Sequence, residues 1–309
     1  MKKVLVVLLG LISSLAYGQF GYNPNAVRPV LEDDVMFRKI VQRRINMNEK
    51  QNKGFAPQSQ IPETDEFNFV LQLFKALQDN KLRVYEHSSS ANIVRFKGGD
   101  NKTAIEIPID PDTKLPYKQL TSNPDMKSAA NYVNPESKEY GKYTEIACSQ
   151  QDQNADGAYF VTLSFPTDDQ IKTASIKITE EVIFDKRRSR MYINILAITI
   201  EFFCGGDFSK PRYYHFKYKE VDKYFREKYQ ETQTIGAWYN PQNLRRHMCV
   251  MDAFELRLFS SRIIKVSNPD DLSLAEVYKS PDGTITEELY KAQEAENELM
   301  EFEHNLWEF

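Results

Sequence analysis

Residues 174–185 read ASIKITEEVIFD and residues 191–202 read MYINILAITIEF, and these two runs decide the fold. Apolar residues occupy alternate positions of the first run, with Glu180 as the exception, which is the period of a half-buried β-strand. The second run is apolar on both faces, as expected for a strand in the middle of a sheet. Residues 185–190, DKRRSR, are the polar turn between the runs, so the sequence predicts an antiparallel hairpin.

Helical patterns surround this hairpin, and the predicted fold class is therefore α+β, with an antiparallel sheet centred on residues 172–203 and flanked by helices. Apolar residues recur at helical spacing between residues 35 and 45 and predict an amphipathic N-terminal helix. A second amphipathic helix is predicted at the C-terminal end, capped by Thr284 or Thr286. Further helices are expected at residues 65–79, around 221–228, at 251–264 and at 272–278.

Composition and length restrict the class of protein. The chain has 309 residues, of which 41% are hydrophobic and 27% charged, with only 12 Gly and 14 Pro. These proportions are ordinary for a packed core and exclude disordered, collagen-like and low-complexity chains. We expect one α+β domain over residues 19–309, with an irregular segment at about 85–170.

The first residues have the features of a secretory signal peptide. Lys2 and Lys3 precede an apolar run at residues 4–12, and the small residues Ala16 and Gly18 suit a cleavage site. The apolar run is about half of the roughly 20 residues that a membrane-spanning helix needs. We therefore expect cleavage after Gly18 and an exported protein. Because no cysteine follows the cleavage site directly, the chain is not expected to be a lipoprotein itself.

No motif of a known catalytic chemistry is present in the sequence. It contains no G-x-S-x-G, P-loop, dinucleotide-binding or H-E-x-x-H pattern. The four histidines are scattered, without the spacing of a zinc site; they are His87, His215, His247 and His304. The sequence therefore indicates a protein that is not an enzyme and that needs no cofactor or metal.

Two other functions stay open at this point. The run DQNADG at residues 152–157 imitates the first half of a calcium loop, although Leu163 stands where a bidentate Glu is needed. A calcium-binding or small-ligand-binding protein is therefore one alternative. A monomeric exported hydrolase with an unrecognised pair of carboxylates is the other. Nucleic acid is not expected as a partner, because the net charge is −4 and the chain carries an export signal.

The charge distribution favours a protein that binds other proteins. Residues 28–53 carry seven basic and four acidic residues, whereas residues 282–309 carry nine acidic residues and one Lys. The acidic end is expected to meet a basic surface, either within the chain or on a partner. The basic turn and the aromatic stretch near Trp238 suit protein contacts or core packing. The candidate partner-binding residues are Arg38, Arg43, Arg44, Arg187, Arg188, Trp238, Tyr239, Phe302 and Trp307.

Three cysteines in an exported chain of this length do not form a disulfide framework. A single pair could form, and Cys204 with Cys249 is the slightly favoured pair because both flank the apolar part of the second half. Cys148 would then remain an odd thiol.

Four segments follow one another along the chain: LEDDVM at residues 31–36, RINMNEKQN at 44–52, FDKRRS at 184–189 and FEHNLWEF at 302–309. With these segments in this order, the chain resembles the gliding motility protein GldN/PorN family. Phe37 stands where many members have Trp, and Asn46 and Asn48 replace an Asp and an Arg. The resemblance runs from about Val27 to Phe309.

The resemblance implies a periplasmic component of the type IX secretion system, associated with the outer membrane through a lipoprotein of the GldK/PorK type. Members are similar to scaffold subunits that build a ring, and the family has no known catalytic residues. The periplasmic shaft of the GldL/GldM motor is a further implied partner. Whether the source organism glides or only secretes is not implied.

Overall fold

The computed structural model describes residues 30–56, 66–85, 87–89, 93–94, 105–108, 148–153, 159–164, 174–203, 211–240, 243, 247–278 and 286–307. Its strands are β1 (Val35–Ile45), β2 (Val84–Tyr85), β3 (Ile93–Val94), β4 (Ile105–Pro108), β5 (Cys148–Gln153), β6 (Tyr159–Ser164), β7 (Ser175–Asp185), β8 (Arg190–Phe202), β9 (Arg212–Lys217), β10 (Ala237–Trp238), β11 (Met248–Cys249) and β12 (Arg262–Val266). Its α-helices are α1 (Phe69–Gln78), α2 (Tyr218–Thr232), α3 (Val250–Glu255), α4 (Leu274–Val277) and α5 (Thr286–Trp307).

The main sheet is antiparallel, with the strand order β12-β1-β7-β8-β9-β2-β3. The predicted hairpin is confirmed, because β7 and β8 pair from Ser175 opposite Glu201 to Asp185 opposite Arg190. The doubly apolar strand β8 lies fourth of the seven strands, in the centre, as its sequence predicted. The α+β class is confirmed as well.

The predicted N-terminal helix is wrong, because residues 35–45 form strand β1 between β12 and β7. Their apolar residues do fit helical spacing, but four of them, Val35, Ile40, Val41 and Ile45, are β-branched residues that suit a strand. Arg38 and Arg43 interrupt the alternating pattern of the strand. Each contacts a buried carboxylate of β7, Glu181 and Glu180 respectively. The 251–264 prediction is only partly right, since α3 ends at Glu255 and β12 follows.

The expectation of irregular structure across about 85–170 does not hold for the strands inside it. There β4, β6 and β5 form a separate three-stranded antiparallel sheet. Strands β3 and β4 contain Ile and Val residues that suit a strand, but nothing in the polar sequence CSQQDQ of β5 indicated one.

The helices cover one face of the main sheet. One apolar cluster joins β7, β8 and β9 to α1, α2 and α3, with Phe74, Ile198, Phe225 and Phe254 at most 1% exposed. A smaller cluster joins β1, β7 and β12 to the C-terminal helix α5, which was predicted from its sequence. The described helices include none that is both long and apolar enough to span a membrane.

Local capping explains where two of the helices begin. Asn68 accepts a hydrogen bond through Oδ1 from the backbone N–H of Leu71 and caps α1. Ser273 precedes α4 and forms a complete capping box with Glu276. Helix α3 ends at Glu255, and Arg257, two residues later, has a φ of 55° in the left-handed region.

Candidate functional site

The basic residues of β1, which were candidate partner contacts, are paired inside the chain. Arg38 donates from both Nη atoms to the carboxylate of Glu32, at 2.6 Å each, and its Nε lies 3.0 Å from Oε1 of buried Glu181. The hydrogen bond from Arg38 holds the pKa of Glu32 below its ordinary value. These contacts fix β1 against β7, so Arg38 has a structural role.

Arg43 joins three separate elements. Its Nε donates to Oε2 of Glu180 on β7 at 3.1 Å, and its Nη1 donates to Oε1 of Glu296 on α5 at 2.8 Å. Glu180 is only 1% exposed. Its Oε1 also lies 2.6 Å from Nη1 of Arg257, which follows the end of α3. Two guanidinium groups therefore share one buried carboxylate, which compensates the cost of burying it.

Glu201 on β8 is the centre of a second cluster of charges. Lys177 Nζ lies 2.8 Å and Arg44 Nη2 2.9 Å from its carboxylate, and Ser175 donates to it at 3.0 Å. Burial of Glu201 acts to raise its pKa, but the hydrogen bond and charge of Lys177 and the charge of Arg44 hold it below the ordinary value. Arg44 itself keeps 45% of its side chain exposed.

The turn between β7 and β8 holds Arg187 and Arg188 in defined positions. Asp185 accepts the backbone N–H groups of both, at 2.9 and 3.1 Å, and its other oxygen pairs with the guanidinium of Arg188 at 2.9 Å. The side chains of Lys186, Arg187 and Arg190 are exposed and form no ion pair with any described residue. The turn therefore presents positive charge to solvent.

The two aromatic candidates differ in their surroundings. Trp238 is half-buried against Gly54 and the ring of Phe55, and its buried indole N–H has no hydrogen-bond acceptor among the described residues. Tyr239 is also half-buried and lies 5.5 Å from the ring of Phe67, between ring centroids. Core packing therefore accounts for Trp238.

The acidic C-terminal helix meets the basic β1 within the same chain, which was one of the two expected alternatives. Ala292 and Ala295 are buried on the inner face of α5. The ring of Phe302 packs on that of Phe37, with the ring centroids 4.1 Å apart. Lys39 adds a longer pair to Glu298 at 3.9 Å. Trp307 is the last helical residue, and its side chain lies outside the described part of the structure.

A hollow of about 300 Å³ opens on the helix-covered face of the sheet. It lies between the first half of β8 and the end of α3, with Ile193 in the middle of the strand 42% exposed. Tyr218, which begins α2, lines the hollow and is 2% exposed, and its hydroxyl has no hydrogen-bond partner among the described residues. The volume is at the lower end of the range for ligand sites, about 300 to 1,000 Å³.

The candidate chemistry of the other residues is limited. Within the described ranges, no three His, Cys, Asp or Glu side chains are placed to hold a metal ion. Residues 154–157 of the calcium-like run lie outside these ranges. Cys249 is a buried free thiol, and burial raises its pKa. Cys204 lies outside the described residues, so its pairing with Cys249 stays a prediction.

A profile of the family described as gliding motility associated protein GldN matches residues 30–308, and this match covers all the described elements. The chain belongs to the GldN family. No curated protein matches the chain.

In this member of the GldN family, the predicted site residues form no single patch. Trp238 packs beside Gly54, beyond the end of β1, whereas Phe302 packs on Phe37 near its start. Arg187 and Arg188 lie in the turn between β7 and β8, at the end of these strands that is nearest Phe37. The predicted site residues therefore lie in separate places: Trp238 packs beside Gly54, and the charged residues lie in the turn between β7 and β8.

Four residues of this region were missed by the sequence analysis: the buried carboxylates Glu180, Glu181 and Glu201, and the exposed Ile193. The pair of consecutive Glu residues inside an apolar strand was a usable signal, because buried carboxylates require partners. Ile193 carried no signal, since its exposure depends on where α3 ends.

Proposed function

We propose that this GldN family member is a non-enzymatic scaffold subunit of the type IX secretion and gliding motility machinery. The proposal places it in the periplasm after cleavage at Gly18, associated with the outer membrane through a GldK/PorK-like lipoprotein in a ring complex. The GldL/GldM shaft is a further proposed partner. Family membership over residues 30–308 is the observation that carries the proposal.

The described charges support a binding role. Arg38 and Arg43 are used to lock β1, β7 and α5 together, which makes the sheet a rigid platform. The positive turn at residues 186–190 and the exposed carboxylates of α5 then lie on this platform as charges available to other proteins. Complementary charge of this kind sets the orientation of partners and speeds their encounter.

The test is copurification from the native envelope. An affinity tag inserted directly after the signal peptide leaves the C-terminal helix unaltered, and gentle solubilisation should yield large particles that contain an outer-membrane lipoprotein. Deletion of the gene should abolish secretion and restoration of the tagged chain should recover it. A lone monomer in cells that secrete normally would overturn the proposal and favour the hydrolase or ligand-binding alternatives.

A further inference from the structure

The hollow beside β8 has an apolar floor that is open to solvent. Ile193 is 42% exposed, although Val182 directly across the sheet is 3% exposed and Ile195, next on the same face, is 6% exposed. Met191 and Phe254 complete the apolar lining. An open isoleucine on a sheet face that helices otherwise cover marks a place where another apolar group can be buried.

The polar groups around the hollow suit an uncharged group in its interior. Arg257 is paired with Glu180, and Glu255 is paired with Arg226 at 3.0 Å. The buried hydroxyl of Tyr218 and the buried amide Nδ2 of Asn194, both on lining residues, have no hydrogen-bond partner in the described part of the chain. An aromatic or large aliphatic side chain, with a carbonyl or carboxylate beside it to accept from Tyr218, fits this lining.

A positively charged turn lies next to the hollow. The turn at residues 186–190 leads directly into Met191 and carries four basic residues. Arg188 is paired with Asp185 but keeps 59% of its side chain exposed. A segment that enters the hollow past this turn should therefore be acidic.

The C-terminal end of the chain has both properties. Glu301 and Glu303 are exposed and form no ion pair with any described residue, and LWEF follows at residues 306–309. The carbonyl end of helix α5 adds partial negative charge at the same place. The segment that follows Phe302 thus combines acidic residues with two aromatic ones, the composition that a positive, apolar hollow would bind.

The end of α5 continues along β1 rather than toward β8 of the same molecule. The contacts of α5 progress along β1, from Arg43 with Glu296 to Phe37 with Phe302, and the helix continues to Trp307. These last five residues extend it by about 8 Å, at 1.5 Å per residue, along the line of β1. The hollow lies on β8, two strands or about 10 Å away across the sheet.

We propose that the acidic aromatic end of one copy, residues 301–309, binds the hollow and basic turn of a second copy. This contact rests on the proposed scaffold function and specifies how neighbouring subunits join. Because a C-terminal segment meets a different surface on the next copy, the contact is head-to-tail, and such contacts generate rings when the rotation closes. Leu306, Trp307 and Phe309 supply the apolar anchor, and Arg187 and Arg190 attract the glutamates.

Photo-cross-linking in cells tests the contact in the complete assembly. Trp307 is replaced by p-benzoyl-phenylalanine in a strain that also produces a second, differently tagged copy of the chain. Irradiation should give an adduct between the two copies, which mass spectrometry should map to residues 190–195. An adduct within one copy, an adduct with another protein or another segment, or no adduct would overturn the proposal.

Two variants and a control complete the test. Ile193→Glu should reduce the adduct at least tenfold, and so should Arg187→Glu combined with Arg190→Glu, which alters only exposed turn residues and leaves folding intact. Tyr290→Glu is the control, because Tyr290 is 70% exposed on the first half of α5. An adduct that both variants leave unchanged would also overturn the contact.

The outcomes distinguish this contact from the proposed function. Particles that contain the lipoprotein but give no adduct at residues 190–195 would exclude this contact alone. The adduct without lipoprotein or secretion would exclude only the proposed function.

Discussion

Arg43 and Glu296 are 253 residues apart in the sequence, and their side chains meet at 2.8 Å between Nη1 and Oε1. Through the same guanidinium, Glu296 is connected to the buried Glu180. The first strand and the last helix of the described chain are thereby joined across a carboxylate in the interior. The basic residues of β1 and the acidic residues of α5 are far apart in the sequence, yet they contact each other within one molecule.

Removal of Arg43 should destabilise the fold strongly. In Arg43→Ala, Glu180 keeps Arg257 but loses one of two compensating charges while 1% exposed, so we expect a loss of roughly 3 kcal/mol in the free energy of unfolding. Urea denaturation followed by circular dichroism measures it. Glu296→Gln is the matched control, because Glu296 is 36% exposed and should cost about 1 kcal/mol or less. Equal losses in the two variants would contradict this account.

The tilted, closely packed rings of Phe37 and Phe302 should be energetically coupled. With their centroids 4.1 Å apart, a double-mutant cycle of Phe37→Ala and Phe302→Ala should give a coupling of about 0.5 to 1.5 kcal/mol in urea denaturation. The pair Phe37→Ala and Met300→Ala provides the comparison, since Met300 is 61% exposed. Additive effects of the two phenylalanine substitutions would show that this ring contact does not hold α5 on β1.

Strands and helices whose apolar residues recur with a single regular spacing could be predicted from the sequence. The sequence of β7 alternates, that of β8 is apolar on both faces, and that of α5 has an apolar stripe. Strand β1 could not, because Arg38 and Arg43 lie on opposite faces and each is neutralised by a carboxylate of β7. A strand with charges on both faces has no hydrophobic period, and its pairing depends on residues more than a hundred positions away.

The candidate site shows the same division. The positive turn was visible as DKRRSR, since local sequence alone produces it. The hollow at Ile193 was not, because it exists only where α3 ends at Glu255 and leaves part of β8 uncovered. Surfaces formed by one segment can be predicted from sequence, whereas surfaces formed between elements require their packing.

Gly54 should tolerate no side chain. A Cβ atom at this position would overlap the indole of Trp238, while the backbone carbonyl of Gly54 accepts from Tyr239 N–H at 2.8 Å and prevents retreat. We expect Gly54→Ala to cost about 1 to 3 kcal/mol by overpacking. In a Trp307→Phe background, the emission of Trp238 should also shift. Lys53→Ala, at the neighbouring exposed position, is the control, and unchanged emission and stability in Gly54→Ala would contradict the packing.

Acid should destabilise the protein through His215. Burial lowers the pKa of His215 to about 4, the charges of His87 and Lys177 act in the same direction, and Thr199 Oγ1 lies 2.8 Å from its Nδ1. In the unfolded chain the pKa is 6.5, so between pH 6.5 and 4 the unfolded state binds a proton that the folded state does not. The free energy of unfolding therefore falls as the pH falls through this range, by about 2 kcal/mol for this group.

His215→Gln should remove that part of the pH dependence while it keeps a group that can bond to Thr199. Urea midpoints at pH 7, 6, 5 and 4.5 measure the slope for the two proteins, and exposed His304→Gln is the control that should follow the unmodified chain. Because the carboxylates of Glu201 and Glu32 have lowered pKa values, their contribution is lost only as the pH falls below about 4.5, near their ordinary values. The window above pH 4.5 consequently isolates the histidine. If His215→Gln and the unmodified chain lost stability in parallel across that window, protonation of another group would have to drive the acid sensitivity.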